Sequence, residues 1–175
     1  MSILEGQLLN FIPPKLDGGE IGTKSRFMLV TKNDKVNKTI EMINVSSIKG
    51  KEHKLIYNSN IQINNYYPLP VPSFAKMDVL YLLEDFEELK KFIALRGEKI
   101  DSKELENILK QRYEYIYQYN KYKTINFSKE EFMKRYGKNY LWKEGIETYT
   151  YKILIRFLCP FILTKGENIW RKLVF

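Results

Sequence analysis

GGEIGTKSRFMLV, Gly18 to Val30, joins a glycine-rich loop to an apolar run through one arginine. A guanidinium at the mouth of a buried strand loses hydration, so it requires an anion or hydrogen-bond acceptor. Glu20 would make that partner structural. A bound phosphate would make it functional. Both readings stay open on the residues alone.

Outward from Arg26, apolar runs alternate with turn signals. GQLLNFI (6–12) predicts a first strand and RFMLVTK (26–32) a second, joined by the loop PPKLDGGEIGTKS. TIEMINVSSI (39–48) predicts a third strand. LIYNSNIQI (55–63) and SFAKMDVLYLL (73–83) predict further strands. Short strands at close spacing point to a small barrel or strongly coiled sheet. At Glu84 the period changes: EDFEELKKFIALRG (84–97) predicts a helix ended by Gly97. Asp101 with Glu104, and Ser128 with Glu131, are spaced as capping boxes for two more helices, the second stopped at Gly137. The expected organisation is a β-rich domain over 1–100 and a basic helical extension over 101–175.

The chain has 175 residues and a net charge of +8, which favours anionic partners. Residues 101–175 carry 15 basic and 9 acidic side chains, and Lys15–Lys54 carries nine and five, so two zones hold the excess. The second zone includes YNKYKTINFSKEEFMKRYGKNYLWK (119–143), where Tyr119, Tyr122, Phe127, Phe132, Tyr136, Tyr140 and Trp142 lie among lysines. Aromatic faces between cations suit single-stranded nucleic acid, but the same rings on helices also suit a core.

One cysteine, Cys159, excludes an internal disulfide, and one histidine, His53, excludes a paired-histidine nuclease. These two side chains cannot supply the usual zinc site, and no metal or cofactor is expected. No secretory leader is expected from MSILEGQLLNF. ILIRFLCPFIL (153–163) is too short to span a bilayer and contains Arg156 and Pro160, so it predicts core and no membrane partner. A cytoplasmic location is expected.

What remains is cationic. If strands two and three pair through NDKVNK, Arg26 and the hydroxyls of Ser46 and Ser47 fall toward one end of the sheet. A guanidinium beside a hydroxyl, flanked by lysines, suits a phosphodiester. RNA brings its own nucleophile, the 2′-hydroxyl, so orientation, proton transfer and charge neutralisation suffice.

A glycine-led first strand, a long Gly/Glu loop, an arginine opening strand two and a serine closing strand three resemble the PemK/MazF-type toxin endoribonucleases. NVSSIKGKEHKL (44–55) also resembles a Ser-Ser/Thr-Ser-Pro-Lys stretch of ToxN-type toxins. The resemblance covers roughly residues 5–97. It implies an SH3-like barrel, metal-independent cutting of single-stranded RNA, a cognate antitoxin (protein or RNA) and a possible homodimer. Arg26 would be the catalytic arginine and Ser47 or Ser46 the catalytic hydroxyl. Glu20 would belong to a substrate-gating loop. Lys24, Lys49, Lys51 and His53 would contact substrate. The family's usual arginine-proline is Arg26-Phe27 here. A non-catalytic SH3-like module that binds nucleic acid or a protein is the alternative expectation.

Overall fold

The computed structural model describes residues 2–140, with side chains to Tyr136. Trp142, Cys159 and the apolar window at 153–163 lie outside the described residues, as does the side chain of Tyr140.

The chain forms an α+β structure around a mostly antiparallel open sheet. Its elements are β1 (Leu8–Phe11), β2 (Arg26–Asp34), β3 (Thr39–Ser47), β4 (Asn60–Ile63), β5 (Ser73–Lys76), β6 (Val79–Glu84), α1 (Ser102–Tyr119), β7 (Lys123–Phe127) and α2 (Lys129–Tyr140). The strand order is β1-β2-β3-β5-β4, and β6 also pairs with β3 and with β7.

The β2–β3 hairpin is closed by Asp34, whose side chain accepts from the backbone N–H groups of Val36 and Asn37. The backbone and side-chain N–H groups of Asn37 hold its carboxyl down at about 2. β3 then changes partner along one edge. Thr39–Met42 pairs with β6, whereas Val45–Ser47 pairs with β5. The two ladders are offset, and Met77 and Asp78 absorb the offset as a bend. SFAKMDVLYLL is therefore two strands rather than one. Ser59 O accepts the Met77 N–H at 2.7 Å at this corner.

Period-two alternation puts one core on each face of the sheet. Leu9, Met28, Val30, Met42 and Tyr81 face one way, toward Leu89, Phe132 and Tyr136. Leu8, Leu29, Ile43, Val45, Ile63 and Ala75 face the other, toward Ile100 and Ile108 of the α1 region. Each core seals its face because the strands are apolar on both sides near their centres.

Four expectations are corrected. Residues 84–97 form two short 3-10 turns, Glu87–Phe92 and Leu95–Gly97, rather than an α-helix. Their backbone is drawn to the free edge of β1: Leu9 bridges Ile93, and Ala94 N–H donates to Leu8 O at 2.8 Å. LIYNSNIQI begins as a 3-10 turn, Glu52–Ile56, and only its end is strand. TINF, expected among helices, belongs to β7, which runs parallel to β6 after the α1 crossover. α2 passes through Gly137 without stopping.

Both helix caps are present, with one change of partner. Ser128 Oγ accepts from Glu131 N–H, and Glu131 Oε2 accepts from Ser128 N–H, a complete capping box. Asp101 caps α1 through the N–H groups of Lys103 and Glu104. Glu104 does not reach back to Asp101. It is buried, and its carboxylate accepts from Asn64 and Asn65 N–H, pinning the loop after β4.

The compositional change near residue 100 falls inside one compact unit, Met1–Tyr136. Phe127, Phe132 and Tyr136 of the second basic zone are core, while Tyr122 is exposed. No helix among the described residues is long and apolar enough to cross a membrane.

Candidate functional site

Arg26 opens β2 opposite Phe11, and Phe27 pairs with Val45. One further step of that register sets Arg26 across from Ser46, on the same face of the sheet. The row continues in register: Ser46 opposes Phe74 in β5, and Phe74 opposes Gln62 in β4. Ser47 pairs with Ser73 and, by alternation, faces the other side. Of the two candidate hydroxyls, Ser46 therefore shares Arg26's face.

Lys51, at the start of the 3-10 turn Glu52–Ile56, reaches back and donates to Ser46 Oγ at 2.6 Å. Burial lowers its amine below the ordinary lysine range, and the charges of Lys54, Arg26 and Lys24 lower it further. Four cations thus share one field. None of them forms an ion pair with a carboxylate among the described residues. Arg26 Nε is buried without a hydrogen-bond partner.

The question raised by Gly18–Val30 is answered by Glu20. Its side chain is exposed and forms no ion pair with Arg26; its backbone oxygen accepts from Leu16 N–H at 2.7 Å, which shapes the loop. The loop is fixed instead by later residues. Lys123 Nζ contacts Asp17 at 2.8 Å, Arg135 donates to Gly22 O at 2.6 Å, and Lys15 pairs with Glu131. At Gly22 a Cβ would lie 2.3 Å from Pro13 O, so the loop closes only on glycine.

No protein-family model matches the chain, and no curated protein matches it either.

Two residues that sequence reasoning passed over complete the site. Asn44 is 3 % exposed with an unpartnered Oδ1, where β3 leaves β6 for β5. An asparagine on the inward face of TIEMINVSSI was the available signal. Tyr81, opposite Met42 on the same face, feels the charge of Arg26; burial raises its hydroxyl above the usual tyrosine range, and Arg26 opposes that rise. Lys49 and His53 are exposed on the rim, and His53 stands beside Glu52. Among the described residues, no group of three or more His, Cys, Asp or Glu side chains converges as a metal cage.

The lowered Lys51 amine makes anion binding pH-dependent. A bound anion favours the protonated amine, so binding takes up a proton once free Lys51 begins to lose its own. Sulfate affinity should therefore hold at neutral pH and fall as pH rises through the lowered Lys51 value. Without ligand the sign is opposite: the cost of burying the charged amine, with the repulsion of its neighbours, weakens the fold at neutral pH and is relieved as pH approaches 10.5. Calorimetric titration of sulfate across this range checks it, with Lys51→Arg giving a flat profile over the same interval. A wild-type affinity that does not change with pH would refute the coupling.

Proposed function

We propose that the chain is a metal-independent endoribonuclease that cuts single-stranded RNA, of the PemK/MazF type. The observation that carries this reading is the guanidinium of Arg26, held beside the Lys51–Ser46 pair and, among the described residues, in no ion pair with a carboxylate. Arg26 and Lys51 are half-buried, and holding their charges there without a counter-ion costs stability that a phosphodiester would restore.

In the proposed reaction the substrate 2′-oxygen attacks the adjacent phosphorus. A 2′-O–P bond forms and the P–O5′ bond breaks, leaving a 2′,3′-cyclic phosphate and a 5′-hydroxyl end. Arg26 grips the non-bridging oxygens as negative charge grows on them. Ser46 orients the phosphate. Lys51, protonated and donating to Ser46 Oγ, helps hold the phosphate; the 2′-hydroxyl gives its proton to solvent, and the departing 5′-oxygen takes one from solvent.

We also read the bent sheet as an SH3-like barrel. Supporting this are the bridges Leu9–Ile93 and Gln7–Lys99, which bring the chain after β6 back to the edge of β1. An antitoxin, protein or RNA, would restrain the enzyme by covering the same cations, in the cytoplasm where its RNA targets lie; a homodimer belongs to the same reading.

The test is incubation of the full chain with a mixed-sequence RNA in excess EDTA. The expected products carry cyclic-phosphate or 3′-phosphate ends. RNA that is bound and left intact across a wide pH range would instead identify a non-catalytic nucleic-acid-binding module.

A further inference from the structure

A depression of about 540 Å³ lies between β4 and α1. That volume is in the range of small-ligand sites. Its lining is unusual in composition. Six carboxamides and three tyrosines surround it, and the one charged side chain among the described lining residues is Glu114. Gln62 comes from β4, Gln111 and Gln118 from α1, and Tyr57 from the approach to β4. Tyr115 and Tyr119 stand in tilted ring contact, 5.1 Å between centroids. Asn60 Oδ1 is buried in this wall with no donor.

Carboxamides present a donor and an acceptor side by side, the pattern that reads the edge of a nucleobase. Tyrosine rings supply faces on which unstacked bases sit. Phosphates need cations, and the groove has none. The cations lie next door. Gln62 ends the register row that begins at Arg26, and Asn60 Nδ2 donates at 2.8 Å to the carbonyl of Lys54, one of the four clustered cations.

We propose that the β4–α1 groove is the base-reading subsite of a single-stranded RNA whose phosphate is held at Arg26 and Lys51; this rests on the nuclease reading above. The exposed carboxamides of Gln62 and Gln118 meet the base edge, and the tyrosine rings favour the wider face of a purine. Adenine, whose amino group and neighbouring ring nitrogen a carboxamide engages through two bonds, should be preferred over uracil.

A peptide adding a strand to the free edge of β4 is the competing occupant, and the backbone disfavours it. β4 has four residues, a length that resists strand addition. The N–H groups at its ends are already committed: Asn60 donates to Tyr57 O, and Asn64 to Glu104 Oε1.

The experiment measures binding of oligo-A and oligo-U ten-mers to the full chain in EDTA, with 2′-O-methyl sugars so that neither is cut. Wild type should bind oligo-A roughly tenfold more tightly, equivalent to ~1.4 kcal/mol, the scale of one well-made base contact. Gln62→Ala with Gln118→Ala, both exposed positions, should bring the two affinities together and leave the salt dependence as in wild type. Equal wild-type affinities, or a preference that survives the double substitution, would overturn the groove assignment while leaving the cationic site standing. Absence of RNA binding at low salt would overturn both. A β4-derived exchange protection conferred by an extended peptide but not by RNA would assign the groove to a protein partner instead.

Discussion

Arg26→Ala should lower single-turnover RNA cleavage by about 10²–10³-fold, the usual cost of removing a donor aimed at developing charge. The substrate should still bind, because Lys24, Lys51 and Lys54 remain. Affinity should fall far less than rate, and the salt slope should drop by about one contact. That split separates a group acting in the transition state from one that merely attracts the strand. Arg26→Lys keeps the charge but loses the planar fork, so it should recover binding fully and rate only in part. The fold should survive both changes, since among the described residues Arg26 makes no side-chain hydrogen bond or ion pair whose loss would strand a partner. Unchanged circular dichroism together with a wild-type cleavage rate would end the case for Arg26 as a catalytic residue.

Phe132→Ala should be the most destabilising single change in α2. The ring is fully buried and sits among four others: Phe11 at 5.1 Å, Phe86 at 5.6 Å, Phe92 at 5.0 Å and Tyr136 at 4.9 Å between centroids. Truncating such a ring typically costs about 3–5 kcal/mol, which for a chain of this size lowers the melting temperature on the order of 10 °C. Urea titration and thermal melting measure it directly. Phe11 belongs to β1 and Phe132 to α2, so the result also tests whether the helix after β7 is integral to the sheet core. A shift below ~1 kcal/mol would mean that α2 merely rests on the surface.

The hairpin strands β2 and β3 were legible because period-two alternation and a polar turn agree there. Both helix N-termini were legible for the same reason: Asp101 and Ser128 announce them chemically. The segment 84–97 was not. Phe86, Leu89 and Phe92 have helical spacing, yet the unpaired edge of β1 competes for the backbone, and that edge is invisible in local sequence. β7 was missed because five residues between two helical patterns give too short a signal, and its partner β6 lies 44 residues earlier. In the candidate site, Arg26 was marked by the abrupt start of an apolar strand. The choice between Ser46 and Ser47 needed the register, since adjacent residues differ only in the face they take. Asn44 and Tyr81 needed the point where β3 changes partner.

The three clasps on the loop before Arg26 all come from far along the chain: Lys123 holds Asp17 across 106 residues, Arg135 holds Gly22 across 113, and Glu131 holds Lys15. Ribosomal synthesis delivers these residues long after the loop itself. Contacts so distant in sequence also form late, because the entropy of closing the intervening chain must be met first. A nascent polypeptide stalled near residue 120 would carry Arg26, Ser46 and Lys51 with the loop beside them unfastened, so the cationic cluster would gain its finished surroundings only after Arg135 had been made.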